Sequence, residues 1–150
     1  MMENFTIISN DCVAGRIYES MKLPYLTPTI GLFFYSEDYI KFLKNLEDAL
    51  HCSLQFIKHS RHWGDTKWPC ATILGDVEIH FLHYETEEEA AEKWYRRRQR
   101  VNYDNLYFVF MEKNNFKPEH LDSYNALPYK RKVFIPSDYE IQYIKTQIFL

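Results

Sequence analysis

The sequence predicts an α/β fold of three layers, in which helices cover both faces of a mostly parallel or mixed sheet. Short apolar runs alternate with helical patterns in the order β-α-β-α-β-β-β-α-β-α-β. The early runs are apolar on both faces, as in strands buried between helices. The 150 residues contain no repeat and no linker, so residues 1–150 are expected to form one domain.

The first third of the chain predicts a strand, a helix and a proline-rich loop. Residues 5–9 are apolar and β-branched and predict the first strand. Short polar side chains then end the strand and begin a helix over residues 12–21. Residues 23–28 carry two prolines, each of which disfavours helical backbone in the residue before it, so an extended loop is expected.

A second strand, a long helix and a third strand follow. Residues 29–35 are almost wholly apolar and predict a strand. Ser36 provides a capping hydroxyl, and apolar side chains at spacings of three and four predict a helix from there to about Leu50. Residues 54–57 are a brief strand, and the mixed charges, glycine and proline of residues 58–69 indicate a loop.

The second half of the chain begins at a turn signal. Residues 70–74 and 77–84 flank Gly75-Asp76, and they fit either a hairpin or one bent strand. Thr86 caps a helix with glutamates in its first turn and arginines in its last. The remaining expected elements are a strand over 106–111, a helix over 118–126, a strand over 132–135 and, as one interpretation of an ambiguous end, an edge strand over 143–150.

Composition and charge exclude several classes of protein. The formal net charge of -3 gives no field that would attract nucleic acid or an anionic membrane. No apolar run approaches the roughly 20 residues that span a bilayer, and no leader-like segment begins the chain, so a cytoplasmic protein without membrane insertion is expected. Three cysteines without a close-spaced pair argue against a disulfide framework and a structural zinc site.

Glu78, His80 and His83 form the sharpest candidate site. Ionisable side chains in an otherwise apolar strand conflict with burial, and such conflicts are expected at functional sites. Glu78 and His80 share one face of an extended strand, whereas His83 lies on the other face or past its end. That geometry is poor for a shared metal, but it suits a general base whose ring the glutamate orients and makes more basic. The alternative is a pair of core histidines bonded to backbone.

Ser9, Asn10 and Asp11 occupy the first strand–helix turn. Loop amides and a helix N-terminus there could bind an anion, but a carboxylate at Asp11 suits a sugar hydroxyl or a divalent cation better than phosphate. The alternative is an ordinary helix cap. Neither a dinucleotide-binding nor a phosphate-loop glycine motif is present.

A basic run, a cysteine and abundant aromatic residues complete the candidates. Residues 96–100 complement a helix dipole, so a nucleic-acid site is rejected, although Arg97 could still bind phosphate through a bidentate guanidinium. Cys12 at a helix N-terminus would have a lowered pKa, yet no base is adjacent and a structural thiol is favoured. Tyr35 and Tyr84 are candidates for holding a sugar, whereas most of the 26 aromatic residues are expected to pack in the core. The loop histidines at 59 and 62 are expected on the surface.

Several segments together resemble a known bacterial family. They are Phe5-Thr-Ile-Ile-Ser-Asn-Asp-Cys12, Leu23-Pro-Tyr-Leu-Thr-Pro28, Gly31-Leu-Phe-Phe-Tyr35, Asp38-Tyr-Ile-Lys41, Glu78-Ile-His-Phe-Leu-His-Tyr84, Glu92-Lys-Trp94 with Arg97, and Asp104-Asn-Leu106. In this order, over about residues 5–135, they resemble uncharacterised proteins commonly labelled exopolysaccharide biosynthesis proteins, encoded in capsule or lipopolysaccharide gene clusters. The resemblance implies an α/β fold and a glycan-related setting, and it supplies no established reaction or catalytic residues.

This chain departs from that family at one loop. Members read Ser-Asn-Asn-Cys-Trp-Gly-Gly where this chain has Ser9-Asn-Asp-Cys-Val-Ala-Gly15, which puts an identical ligand in doubt. Members are also generally longer, so the resemblance implies that a C-terminal segment of longer relatives is lacking here.

Two functions from different classes follow. One is a transferase of surface-glycan assembly that acts on a nucleotide sugar. His80 or His83 would be the base, Glu78 would orient it, Asn10 and Asp11 would bind sugar hydroxyls or a metal, and Arg97 would bind phosphate. The other is a non-catalytic glycan-binding or scaffold protein. Acyl transfer through Cys12 is a third possibility. The sequence identifies no cofactor and no oligomeric state.

Overall fold

The computed structural model describes residues 4–137 and 139–149, and it confirms the α/β class. Its strands are β1 (Thr6–Ser9), β2 (Gln55–Ser60), β3 (Gly64–Ile73), β4 (Val77–His80), β5 (Leu106–Met111) and β6 (Lys132–Ile135). Its helices are α1 (Val13–Ser20), α2 (Ser36–Lys44), α3 (Leu46–His51), α4 (Glu87–Arg98), α5 (Pro118–Asn125) and α6 (Ile141–Phe149). Most predicted helices and strands are therefore present, with four differences described below.

The strands form two three-stranded sheets rather than one. A parallel sheet has the order β1-β5-β6, and an antiparallel sheet has the order β2-β3-β4. In β1, Ile7 faces a core formed with α1 and α6, whereas Ile8 faces a larger core shared with α2, α4 and the antiparallel sheet. This alternation follows from the two-residue period of a strand, and it places the parallel sheet between two layers of helices.

Residues 29–35 are not the second strand. Only Phe33 forms a bridge, antiparallel to His80, and the next amide, that of Phe34, donates to the carbonyl of Asn10 at 3.0 Å. Gly31 has a φ of +69°, in the left-handed region that interrupts a strand. The run is apolar because it is a buried connection between the two sheets, and apolar composition alone does not distinguish this from a buried strand.

Residues 58–69 are a hairpin rather than a loop. Strands β2 and β3 pair through Ser60 and Gly64, with an irregularity between Ile57 and His59, so Arg61, His62 and Trp63 form the tip. Of the two interpretations of residues 70–84, the hairpin is confirmed, because β3 pairs antiparallel with β4. These strands carry charged, exposed side chains, so the pattern of apolar residues did not predict them.

The ends of two elements also differ from expectation. The helix predicted from Ser36 to Leu50 is divided at Asn45, whose φ of -130° and ψ of 41° are not helical. The prediction of an edge strand over residues 143–150 is wrong, because Ile141–Phe149 is helical. Residue 150, the last of the predicted strand, lies outside the described residues. Ile144 and Ile148 are buried four residues apart, which is one face of a helix packed on α1 and the parallel sheet.

Candidate functional site

A buried network of polar side chains lies where the tip of the β2–β3 hairpin meets α2 and β4. We call it the carboxylate network, and its members are Asp38, Ser60, Arg61, His62, Glu78 and His80. Glu78 and His80 lie two residues apart on β4 and so share a face, as the sequence predicts. Asp38 lies in the first turn of α2, and the hairpin tip supplies the other three residues.

Each carboxylate in the network is well bonded. Asp38, which is fully buried, accepts the backbone N–H of Glu78 at 3.0 Å, lies 3.1 Å from His62 Nε2 and pairs with the Arg61 guanidinium. Glu78 accepts hydrogen bonds from the Ser60 hydroxyl and, at 2.9 Å, from the Arg61 amide. Because buried charges are tolerated only when paired and hydrogen-bonded, the network fixes the hairpin tip against α2 and β4.

His80 is held in one tautomer. The Trp68 indole N–H donates to His80 Nδ1 at 2.9 Å, so the ring proton lies on Nε2, which donates to Glu78 Oε1 at 2.9 Å. The side chain has no exposed surface. Its role as a base stays a prediction, and in this arrangement neither ring nitrogen is open to a substrate. The pair with Glu78 is present, but the second partner is an indole and not the backbone.

Burial decides the charges of this pair. It lowers the pKa of His80, and the hydrogen bond that His80 donates to Glu78 opposes that shift only in part. Burial alone would raise the pKa of Glu78, but hydrogen bonds from Ser60, the Arg61 amide and His80 outweigh it and lower the pKa below its usual value. Glu78 therefore raises the pKa of His80, as the sequence predicts, but burial outweighs this effect, and the pair is a carboxylate beside a neutral imidazole.

Of the two histidines in the carboxylate network, His62 is the one that borders open space. Its Nε2 is bound to Asp38, its ring stacks on Tyr35 with centroids 4.4 Å apart, and its side chain is 13% exposed. It lines a cleft of about 470 Å³ together with Tyr35, Glu37, Asn115, Phe116, Lys117 and His120. A cleft of this volume is in the usual range for small-molecule sites. Sequence analysis missed His62 because it placed the histidine in a surface loop.

Among the residues that the structure describes, two groups of side chains bring potential metal ligands within 4.8 Å of one another, but neither fits a cation as it stands. In the group of Cys70, Glu78 and His80, burial raises the pKa of the thiol to about 12, and the Trp68 donor keeps the proton on the ring nitrogen that would ligate. In the group of Asp38, His62 and Glu78, the Arg61 guanidinium pairs with both carboxylates. A cation there would first have to displace Arg61.

The first strand–helix turn is satisfied internally. The Asn10 side chain exchanges two hydrogen bonds with the backbone of Met111, at 2.8 and 3.1 Å, and so ties β1 to β5. The Ser9 hydroxyl donates to the Asp11 carbonyl, and the Asp11 carboxylate accepts from the Cys12 amide at 2.7 Å. The N-cap of α1 is Cys12 and has no side-chain cap hydrogen bond, so these side chains are not an ordinary helix cap. Ser9 and Asn10 also have no exposed surface for a ligand.

Cys12 differs from the expectation for a helix N-terminus. Burial, followed by the charge of Asp11, raises the pKa of its thiol to about 11. The predicted lowering is wrong because desolvation and a neighbouring carboxylate both disfavour the thiolate. A nucleophilic role at neutral pH is disfavoured accordingly.

The remaining candidates lie apart from the network. Arg97 Nη1 donates to the Tyr84 hydroxyl at 3.0 Å, and that hydroxyl donates to the Ile30 carbonyl. His83 is exposed beyond the end of β4, with its amide bound to Gly31. Of the predicted site residues, Tyr35, Glu78 and His80 come together, whereas Tyr84 with Arg97 and the Ser9–Asp11 turn form separate clusters.

Comparison with known proteins assigns this chain to a family. The whole chain, residues 1–150, matches the family model described as a domain of unknown function, DUF1919. The chain belongs to the DUF1919 family. A relative from Haemophilus influenzae, described as an uncharacterized protein, is 30% identical over 131 residues. The alignment covers 87% of this DUF1919 chain and 61% of the relative. The expectation of an uncharacterised family is thereby confirmed, and neither description names a glycan or a reaction.

Within residues 4–137 and 139–149, no helix combines the length and apolar character that crossing a bilayer requires.

Proposed function

We propose that this DUF1919 protein is a cytoplasmic enzyme of bacterial exopolysaccharide or other surface-glycan biosynthesis, which transfers a glycosyl or related group from a nucleotide sugar. The supporting observation is His62, which is held by the buried carboxylate of Asp38 at the wall of an open, aromatic cleft. The glycan setting rests on the resemblance of the sequence segments, and the chain spans 61% of the length of its Haemophilus relative.

In this proposal His62 is the general base. Because Nε2 is bound to Asp38, Nδ1 carries the lone pair, and the carboxylate stabilises the imidazolium that forms when the ring takes a proton. His62 accepts the proton of an acceptor hydroxyl as its oxygen attacks the anomeric carbon of the donor. The nucleoside diphosphate leaves with the electron pair of the broken bond.

The other walls of the cleft suit a phosphorylated sugar. Phe116 offers an aromatic surface for a sugar ring, and Tyr35, which is largely buried and stacks on His62, contributes the small exposed part of its ring to the same cleft. His120 Nδ1 accepts the Lys117 amide at 3.0 Å, so Nε2 carries the ring proton of the neutral form and can donate it to a phosphate oxygen. Lys117 adds positive charge beside it, and we find no ion pair for its ammonium group among the described residues.

Glu78 and His80 act through position. The Glu78 amide donates to the same oxygen of Asp38 that binds His62, and its carboxylate accepts the Arg61 amide at the hairpin tip. His80 fixes the Glu78 carboxylate from the opposite side. This support keeps the base oriented, which rigid catalytic groups require.

The decisive experiment is a release assay with a panel of uridine, guanosine and cytidine diphosphate sugars, with and without oligosaccharide acceptors. We expect nucleoside diphosphate release with at least one donor, and a loss of about 100- to 10,000-fold in kcat for His62→Ala. His59→Ala is the matched control, because His59 is an exposed histidine of the same hairpin bound only to an exposed aspartate.

Three results bear on this proposal. Activity that survives in His62→Ala, or that is lost equally in His59→Ala, would contradict the role of His62. No release from any donor, together with no thermal shift by any nucleotide sugar, would contradict the proposed reaction.

The second candidate function is glycan binding without catalysis. Trp63 is 59% exposed at the hairpin tip, and its ring lies 5.3 Å from that of Trp68. Large exposed aromatic residues mark interaction surfaces, and this pair needs no base. A melting temperature raised by oligosaccharides alone, and reduced in that response by Trp63→Ala, would favour this function over transfer.

A further inference from the structure

Arg97 is a buried arginine on the inner face of α4. Ala90, Trp94 and Arg97 are the buried residues of this helix, at spacings of four and three. Arg97 is 9% exposed, whereas an arginine is almost never so buried unless it is paired. Its neighbours Arg96 and Arg98 have ordinary surface roles, since Arg96 pairs with Glu92 at 2.8 Å and Arg98 donates to the Cys52 carbonyl at 2.8 Å.

The guanidinium has fewer partners than donors. Of its five N–H groups, one on Nη1 donates to the Tyr84 hydroxyl at 3.0 Å. Its carbon lies 4.9 Å from the centre of the Tyr25 ring, which stacks on the plane without accepting a hydrogen bond. The Nε atom is buried and has no acceptor among the described residues, a condition that its neighbour Trp94 Nε1 shares. Buried donors of this kind require an acceptor from outside the chain or water.

The charge of Arg97 is also uncompensated. No carboxylate of residues 4–137 and 139–149 lies within ion-pair distance of it. Glu89 is in electrostatic reach, but its carboxylate is bound to Lys93 at 3.1 Å, and Glu19 accepts the Tyr25 hydroxyl. Two further cations approach, since Arg100 donates to the Tyr25 carbonyl at 3.1 Å and Lys93 lies 5.7 Å from the Tyr84 ring centre.

We infer that Arg97 anchors a binding site for a phosphate-class oxyanion beside Tyr25 and Tyr84. A guanidinium presents Nε and one Nη as a planar fork that matches two oxygens of a phosphate. Tyr25 packs against the guanidinium, and Tyr84 binds its Nη1 atom. The Nε donor remains for the ligand. An anion there would supply both the missing acceptor and the missing charge.

The start of α1 adjoins the segment that holds Tyr84. The Cys12 thiol at this start contacts the Leu32 carbonyl, and Gly15 packs against Ile30, whose carbonyl binds Tyr84. The Asp11 carboxylate already accepts the Cys12 amide at this helix start, so the proposed anion depends on Arg97 and not on the helix N-terminus. This site does not depend on the transferase proposal, because it shares no residue with the His62 cleft.

Thermal melting of the full chain in inorganic phosphate or pyrophosphate, against sodium chloride of equal ionic strength, tests the inference. We expect a saturable rise of several degrees in the melting temperature with either oxyanion, and none with acetate or glucuronate. Arg97→Met should abolish that rise while the unliganded protein melts at the same or a higher temperature, because the substitution removes a buried charge that has no counter-ion among the described residues. Arg96→Met, the exposed neighbour, and His62→Ala should both keep the full response.

A purely structural arginine gives different results. It would make Arg97→Met markedly less stable than the wild type in chloride, with no phosphate response in either protein, and that result overturns the inference. A response to acetate or glucuronate without one to phosphate overturns the phosphate class. Should Arg97→Met fail to fold, Arg97→Lys retains the charge but not the fork, and calorimetric titration with pyrophosphate should show at least tenfold weaker binding than for the wild type. Equal affinity in that variant would also overturn the inference.

Discussion

His80 is an ionisable residue that serves as part of the protein core. Both of its ring nitrogens are bonded, to Trp68 and to Glu78, and its ring packs against Phe33 with centroids 4.8 Å apart. Removing the ring would leave a cavity, an indole donor without an acceptor, and a carboxylate that has lost one donor. Such losses are characteristic of core substitutions rather than of substitutions at an open catalytic site.

We therefore expect His80→Ala to lower the free energy of unfolding by about 2–4 kcal/mol. Urea unfolding followed by circular dichroism measures the change. His83→Ala is the control three residues away, and because His83 is exposed its effect should stay within about 0.5 kcal/mol. A variant that unfolds like the wild type but loses turnover would instead return His80 to the role of a base.

The same pair makes stability depend on pH. The pKa of His80 is lowered in the folded protein, so the unfolded chain binds a proton that the folded one does not, and stability falls as pH drops below about 6.5. The pKa of Glu78 is also lowered, so its contribution is present above about 4.5 and is lost as pH falls further. Unfolding titrations from pH 8 to well below pH 4 should show stability decreasing through both windows. His80→Asn, which has no titrating ring, should flatten the upper window, and an unchanged upper slope would contradict this origin.

At the scale of elements, residues 29–35 join the two sheets without being a strand of either. Phe33 bonds to β4, Phe34 bonds to the loop after β1, and Tyr35 begins the cleft beside His62. Gly31 allows the chain to enter this connection, since a Cβ at that position would lie 3.3 Å from the Tyr84 ring and the φ is positive. The close approach of the Gly31 backbone to the Tyr84 ring therefore positions both Tyr84 and the start of the cleft.

Gly31→Ala is expected to lower the free energy of unfolding by about 1–3 kcal/mol, through backbone strain and the crowding of Tyr84. Gly75→Ala is the matched control. Gly75 also has a positive φ, of +86°, but nothing lies within 4 Å of an added Cβ. The difference between the two variants in denaturant unfolding isolates the Tyr84 contact, and equal losses would show that the contact contributes nothing.

The β2–β3 hairpin is the element on which the candidate site most depends. Its tip supplies Arg61 and His62, and its backbone reaches Glu78 through the Arg61 amide. Strand and loop cannot be told apart in this stretch from composition, because its side chains are mostly charged or polar and face solvent. Sequence analysis therefore found Glu78 and His80, which interrupt an apolar strand, and did not find His62, which interrupts nothing.

At the scale of the whole molecule, the carboxylate network lies on the junction between the antiparallel sheet and α2. The two sheets are joined by the bridge between Phe33 and His80 and by one apolar core that includes Ile8, Phe108 and Ile79. Asp38 belongs to a helix that also packs against α5, which supplies the opposite wall of the cleft. The cleft therefore forms only when the hairpin tip, α2 and the start of α5 are packed together.

The sequence by itself determined the α/β class, most helices and strands, and the shared face of Glu78 and His80. These features depend on local periodicity, capping and turn residues, which act over a few neighbouring positions. Only the tertiary structure decided that His80 is enclosed by Trp68 and Glu78, that Asp38 binds His62, and that Arg97 is buried with no counter-ion in the described part of the chain. Hydrogen bonding and desolvation between distant segments set the exposure and charge of those groups, and no local pattern in the chain encodes either.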